Sequence, residues 1–277
     1  MIVFIYLVLA IILIVLIGLL TALKKFDDNV EHLFKQSDKM DGNVFHSEQL
    51  SGLPVPVQQY FSHVLTEGQP YLNYVRLKHH GRFKTSIESK WASIKGEEYF
   101  TVNKPGFIWK GKMNGLTAID SFINGEGSLK VYFFFFIRIA KGSGSEFSQG
   151  ELLRWLGECV WFPTALLPND YLHWEPLNDH QAKLVFAYKK LAVYYIVTFN
   201  DAYEIVQLET TRYMGGKELK TWIGRLSNYK TFNDIMIPTT IQAAWRLDHH
   251  DFTYAVFHLN RIEYDQPERF KNNILPL

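Results

Sequence analysis

The chain has 277 residues, 47% hydrophobic and 16% aromatic, with a formal net charge of +1. That length holds one large all-β domain or two small ones, with a sizeable core, and the abundance of Phe and Tyr favours pleated, half-buried surfaces over helices. The near-zero charge excludes the basic stripe that nucleic-acid binding needs, and a single cysteine, Cys159, excludes an intramolecular disulfide.

Residues 1–23 carry no charged side chain. As a helix at ~1.5 Å per residue they reach about 34 Å, enough to cross a bilayer. A cleaved signal peptide would show a basic n-region, a shorter apolar run and a small-residue cleavage site, and a lipoprotein would need a cysteine near the end of the run. Neither pattern is present, so the expectation is an uncleaved single-pass anchor in the cell membrane. Lys24 and Lys25 follow the span and only the α-amine precedes it, which by the positive-inside tendency places the domain in the cytoplasm. Residues 24–51 are mostly polar, with Phe26, Val30, Leu33 and Phe34 at helical spacing, and read as a partly helical juxtamembrane spacer.

An antiparallel β domain is expected over residues 52–277. Its leading helix starts at Pro54, and Val57, Tyr60, Phe61, Val64 and Leu65 recur at i, i+3, i+4, i+7 and i+8 before Gly68 closes it. From Tyr71 the period becomes 2. Val75, Leu77, His79, Phe83 and Ile87 alternate with the basic row Arg76, Lys78, His80, Arg82 and Lys84. A turn at 91–95 and strands at 98–103 and 107–112 follow, and Asn114-Gly115 and Asn124-Gly125 are hairpin signals around strand 116–123. Residues 129–139, with Phe133 to Phe136, are too continuously apolar for a half-exposed strand and predict one strand covered on both faces.

A central helix is predicted over 149–159. Ser148 and Glu151 have capping-box spacing. Leu152, Trp155, Leu156 and Cys159 form an apolar stripe, and Glu151, Arg154 and Glu158 take the other face. Seven further strands, 171–175, 182–188, 192–199, 203–213, 219–229, 236–247 and 252–264, are separated by Asn178-Asp179, Lys189-Lys190, Asn200-Asp201, Gly215-Gly216, Asn233-Asp234 and His249-His250. With no second helix for parallel crossovers, the fold class is mainly β. About twelve antiparallel strands form a meander that must curl into a half-barrel or open barrel.

Five features carry possible chemistry. The glycine-rich loop 141–146 stands before a helix, as phosphate cradles do, but Glu146 and Glu151 place negative charge there and no Walker lysine follows. Glu151, Arg154 and Glu158 form either an interior polar cluster with shifted titration or an exposed face with pairs worth a few tenths of a kcal/mol. His79 and His80 are strand neighbours that point to opposite faces, and no H-x-x-x-H or C-x-x-C occurs, so neither metal nor cofactor is expected. Cys159 lies on the apolar stripe as a packed hydrophobe. The basic row is either a solvated strand face, matched across the hairpin by acids such as Glu97, or a surface for anionic head groups.

The segments LPVPVQQYFSHVL, GQP, VRLKHHGRF, KPGFIWKGKM, GELLRWLGECVWFPTALLP, AAWRL and RIEYD resemble, over residues 53–265, a bacterial family of uncharacterised, often membrane-anchored proteins known as a domain of unknown function. His249-His250 departs from the glycine-containing turn of that family. The resemblance implies no activity and no catalytic residue. The element order is also similar in architecture to the half-barrels of lipoprotein-sorting carriers, which implies a concave sheet that holds acyl chains under helices. The function expected is a membrane-tethered, noncatalytic binding protein for an apolar ligand, a lipid or lipid-linked molecule. Trp155, Trp161, Phe162 and Leu166 would line its cavity, with Glu151 and Glu158 beside an Arg154 that meets a head group. The alternatives are an enzyme on a lipid or glycan using Glu151 or Glu158 with Arg154, and an assembly protein whose cavity is filled by its own side chains.

Overall fold

The computed structural model describes residues 1–37, 42–215, 218–248 and 250–271. Among them, thirteen strands form one antiparallel sheet: β1 Tyr74–Phe83, β2 Ala92–Thr101, β3 Gly106–Met113, β4 Leu116–Ile123, β5 Glu126–Phe133, β6 Ile137–Ser143, β7 Leu172–Asn178, β8 Gln181–Tyr188, β9 Leu191–Phe199, β10 Ile205–Met214, β11 Glu218–Phe232, β12 Ile235–Leu247 and β13 His250–Tyr264. The spatial order is β6-β5-β4-β3-β2-β1-β13-β12-β11-β10-β9-β8-β7. Two meanders therefore join where β1 pairs with β13, and the sheet curves but stays open, with β6 and β7 as its edges. The connection from β6 to β7 has to travel from one edge to the other. It does so inside the curve, through α3 (Ser145–Glu158) and two 3₁₀ turns, Cys159–Trp161 and Pro163–Leu166.

The concave core is built from the apolar register of the strands together with α3, the two turns and α2 (Val55–Val64), whose Val57, Tyr60, Phe61 and Val64 are buried. A second, smaller core lies on the convex face. There α1 runs unbroken from Ile2 to Lys35, exposed over residues 2–17. Its Phe26, Val30, Leu33 and Phe34 then pack against Tyr74, Tyr99, Ile108 and Phe270. A helical stripe at i, i+4, i+7 and i+8 thus finds its partner on the back of the sheet.

The basic row of β1 also faces this convex side, and it is dressed rather than bare. Arg76 is buried and pairs with Glu263 at 2.6 Å, Arg76 and Lys78 lie over Phe270, and Arg82 and Lys84 lie over Trp91. Glu97 stands opposite Lys78 but turns to Lys110 and Arg269.

Three sequence expectations change. The thirteenth strand comes from residues 129–139, which are not one covered strand but a hairpin. Phe134 (φ 46°) and Phe135 (φ 69°) take the left-handed region and reverse the chain, and Phe133, Phe134, Phe135, Ile137 and Ile139 are exposed. No Gly or Asn marks this turn, so its pattern reads as one run. The capping box is also absent. The helix begins earlier, after Gly144 (φ 124°), and Ser148 Oγ donates to Gly144 O at 2.9 Å and accepts from Gly127 N–H at 3.0 Å. That serine ties α3 to β5, while Glu151 turns toward β10. Third, β2 begins at Ala92, so the turn precedes it instead of filling 91–95. For the turns expected at Gly215-Gly216 and His249-His250, Gly216 and His249 lie outside the described residues.

Candidate functional site

Strand register alone places four side chains in a row on the concave face. Leu77 stands opposite Glu98, Glu98 opposite Trp109, and Trp109 opposite Asp120. Adjacent strands are about 4.8 Å apart, so Glu98 and Asp120 flank the Trp109 indole from either side at roughly twice that spacing. A guanidinium held over the ring can therefore reach both acids. Arg154 of α3 does this. Its Nη2 donates to Glu98 Oε1 at 2.8 Å, its Nη1 to Asp120 Oδ2 at 2.9 Å, and its Nε to Glu158 Oε1, one helical turn on, at 3.0 Å. Its guanidinium carbon lies 4.9 Å from the ring centroids of Phe107 and Trp109, a cation–π arrangement. Glu151, on the same helix, pairs instead with Arg212 of β10 at 3.4 Å. Gly150 permits this approach, because a Cβ there would stand 3.0 Å from Arg212 Nε.

Beneath the row, Trp109 Nε1–H donates to His79 Nε2 at 2.7 Å, which assigns the imidazole proton to Nδ1. Gly96 makes room for the pair, since a Cβ would lie 2.2 Å from His79 Nε2. Burial, with Arg154 and then His80 adding to it, pushes the His79 pKa down to about 3, so the ring is neutral.

The cluster sets two arginines against four carboxyls, and its side chains are from 1% exposed at Glu98 to 17% at Arg212. Burial raises Glu98 and Glu151 well above the usual carboxylate range, and raises Glu158 as well. Arg154 opposes the rise at Glu98 and Glu158, while at Glu151 nearby Asp120 reinforces it ahead of the opposing arginines. Glu158 and Asp120 add to the rise at Glu98, and Asp120 to that at Glu151, so the carboxyls of the cluster oppose one another's ionisation. Asp120 Oδ1, Glu151 Oε2 and Glu158 Oε2 are buried without a hydrogen-bond partner, and a proton on Glu151 or Glu158 would turn such an acceptor into a donor.

The other predicted site residues share the crossover segment but not this chemistry. Trp155, Trp161, Phe162 and Leu166 are at most 2% exposed and pack against the sheet. Trp155 Nε1–H donates to Thr101 O and Trp161 Nε1–H to Pro238 O, both at 3.0 Å, so each buried indole donor is satisfied. Tyr195 of β9 adds a bond to Leu153 O at 2.9 Å. The segment is thus a plug that fills the curve with its own side chains. A cavity of about 210 Å³ opens elsewhere, between the end of α2 and the β11–β12 hairpin, against His63, Val64, Leu65, Thr66, Thr231, Asp234 and Met236. Among the described residues no group of three or more His, Cys, Asp or Glu side chains is arranged to hold a metal ion.

Structure therefore brings Glu151, Arg154 and Glu158 into an interior cluster and adds Glu98, Asp120, Arg212 and His79 to it. The sequence carries a signal for the added acids. Glu98 and Asp120 occupy the apolar register of their strands, Glu98 two residues before Phe100 and Asp120 two before Phe122, where a charge needs a buried partner.

Residues 43–257 match a family model described as "Family of unknown function (DUF6544)". No protein of curated function matches the sequence. Among solved structures, one similar chain is a domain from Vibrio parahaemolyticus provisionally assigned as an outer membrane lipoprotein-sorting protein. It has a TM-score of 0.42 and 11% identity, over 79% of this chain and 94% of that one. Another is a LolA superfamily protein from Nitrosomonas europaea, with a TM-score of 0.43 and 11% identity over 82% and 99% of the two chains.

Proposed function

The chain belongs to the DUF6544 family of unknown function, and we propose that it is a membrane-tethered, noncatalytic binding protein for a lipid or lipid-linked molecule. The observation that carries this reading is that the concave, aromatic face of an open sheet is covered by α2 and by the crossover of residues 145–166, and, among the described residues, by no closing strand. Binding sites for drug-sized ligands are about 300–1,000 Å³, larger than the 210 Å³ cavity beside α2. An acyl chain therefore enters by displacing the plug. At about 0.8 kcal/mol per buried methylene, a chain of a dozen carbons returns roughly 10 kcal/mol, a large part of what Trp155, Trp161, Phe162 and Leu166 give up. Arg154 keeps Glu158, its own helix neighbour, on leaving Glu98 and Asp120, and exposes a face to an anionic head group. Protonation of the carboxyls left behind limits the cost of the exchange.

The tether is read from α1. Its apolar half is long enough to cross a bilayer, and it continues without a break into the packed stripe Phe26 to Phe34, which supports retention of the span. Lys24 and Lys25 at its domain end favour a cytoplasmic domain, which a carboxyl-terminal reporter that functions in one compartment only would test.

The test of binding is photocrosslinking in cells fed a diazirine-bearing fatty acid, followed by peptide mapping of the full-length protein. Adducts on residues 152–166 or on the strands beneath them are expected. Adducts confined to the first 23 residues would overturn the reading. Glu158, held by Arg154 at 3.0 Å with its other oxygen buried and unpartnered, favours a second reading, acid–base chemistry on the bound molecule. A copurified lipid that is converted by the native protein but not by Glu158→Gln would establish it.

A further inference from the structure

We propose that the β5–β6 hairpin is a second membrane-contact element, an aromatic tip that enters the lipid interface beside the span above a collar of cations that meets anionic head groups. This rests on the reading of residues 1–23 as a bilayer anchor.

Three independent features of the hairpin converge on a lipid surface. The first is conformational. The neighbouring hairpins of the same sheet turn through Asn114-Gly115 and Asn124-Gly125, all four at positive φ, the residue types that adopt this region at least cost. The β5–β6 turn places Phe134 and Phe135 at positive φ. Two aromatic rings thus occupy positions where the fold itself favours Asn and Gly, and both are exposed, along with Phe133, Ile137 and Ile139. Packing inside the protein does not account for them.

The second is position. The Phe136 ring lies against Gly18 of α1, where a Cβ would stand 3.1 Å from Phe136 Cγ. Gly18 is seven residues, about 10 Å at ~1.5 Å per residue, on the bilayer side of Lys25. A membrane that receives the span at its apolar residues therefore reaches the tip as well. Phe and Leu side chains of interfacial elements bury to about this depth, roughly 5–10 Å into the boundary between head groups and acyl chains.

The third is charge. The collar comprises Lys25, Lys112, Lys130, Arg138 and Lys141. The Lys112 ammonium lies 4.9 Å from the Phe135 ring centroid. Lys130 stands opposite Lys141 and Arg138 opposite Tyr132 in the β5–β6 register, and burial, then Lys25, Lys141 and Arg138, hold Lys130 below the usual lysine range. The only acid of the two strands, Glu126, is at the far end of β5. Cations gathered below exposed aromatics complement the negative surface of an anionic leaflet.

The experiment uses the full-length protein in vesicles of phosphatidylcholine with or without phosphatidylglycerol. An environment-sensitive fluorophore is placed on a single introduced cysteine at Phe134, at Ile14 in the span or at Leu177 on the opposite edge. The native Cys159 is buried and is left in place. With nitroxide-bearing lipids present, labels at 14 and 134 should be quenched several-fold more than the label at 177. The quenching at 134 should grow with phosphatidylglycerol and shrink in a variant carrying Lys130→Gln, Arg138→Gln and Lys141→Gln. A quenched label at 14 with an unquenched one at 134 leaves the anchor standing and overturns the hairpin contact. An unquenched label at 14 overturns the anchor, and this proposal with it. Quenching at 134 by a nitroxide on a second copy, with none from lipid, overturns it in favour of self-association.

Discussion

Arg154 bonds to three carboxyls at once, and a neutral side chain of similar length would leave Glu98, Asp120 and Glu158 facing one another in a closed space. Removing one partner of a buried ion network costs about 3–5 kcal/mol. Arg154→Met should lower stability by about that amount at neutral pH and by less in mild acid, where the carboxyls are protonated. Urea unfolding at two pH values measures this. Glu98→Gln should be nearly neutral, because burial already favours the protonated acid. His79 pulls the other way. Its pKa falls from 6.5 to about 3 on folding, so the unfolded chain takes up a proton that the folded chain refuses. Its contribution is complete above 6.5 and is lost as the pH drops toward 3. Glu98, Glu151 and Glu158 have raised values, so their linkage stabilises the fold below about 4.5 and fades as the pH climbs through those values. His79→Gln keeps an acceptor for Trp109 and should flatten the loss of stability between pH 6.5 and 4.5. An unchanged slope would show that the ring does not govern it.

At the scale of elements, the crossover segment and the β5–β6 hairpin make opposite predictions. Trp155 is buried, stacks on Phe186 and bonds to Thr101, so Trp155→Ala should cost about 3–5 kcal/mol. In the hairpin, Phe134→Asn with Phe135→Gly should raise stability by about 1–2 kcal/mol, since left-handed backbone costs bulky residues roughly that much. A melting temperature that falls in this double variant would show that the two rings support the fold after all. The sequence made α3, α2 and most strands legible, because hydrophobic period and turn chemistry agree there. It concealed the β5–β6 turn, because residues that favour strands fill positions where Gly or Asn would announce a reversal. The capping box failed for a related reason. Ser148 and Glu151 have the right spacing, but tertiary partners, Gly127 and Arg212, compete successfully for both side chains. The same logic explains the half-seen site. A helix face with Glu151, Arg154 and Glu158 is visible by spacing, whereas Glu98, Asp120 and Arg212 join it only once register and sheet curvature bring distant strands together.

For the molecule as a whole, the stretch after the span is where sequence and packing differ most in what they suggest. Phe26, Val30, Leu33 and Phe34 look like a sparse stripe in a polar spacer, yet each is at most 4% exposed against the convex face. Arg269, which pairs with Asp27 and Glu97, and Phe270 close the same patch from the other end of the chain. Burying side chains of this kind contributes roughly 1.5–3 kcal/mol each, so the second half of α1 packs as part of the fold and continues without a break into the exposed, apolar first half. Two truncations separate these roles. A fragment starting at Lys24 loses the apolar span and keeps the stripe, and it should be soluble and close to the full chain in stability. A fragment starting at Gly42 uncovers Tyr74, Tyr99 and Ile108. It should bind a hydrophobic dye, melt at a lower temperature and aggregate on concentration. Equal melting temperatures for the two fragments would show that α1 merely lies on the sheet, and would leave the hairpin beside Gly18 without a fixed height above the membrane.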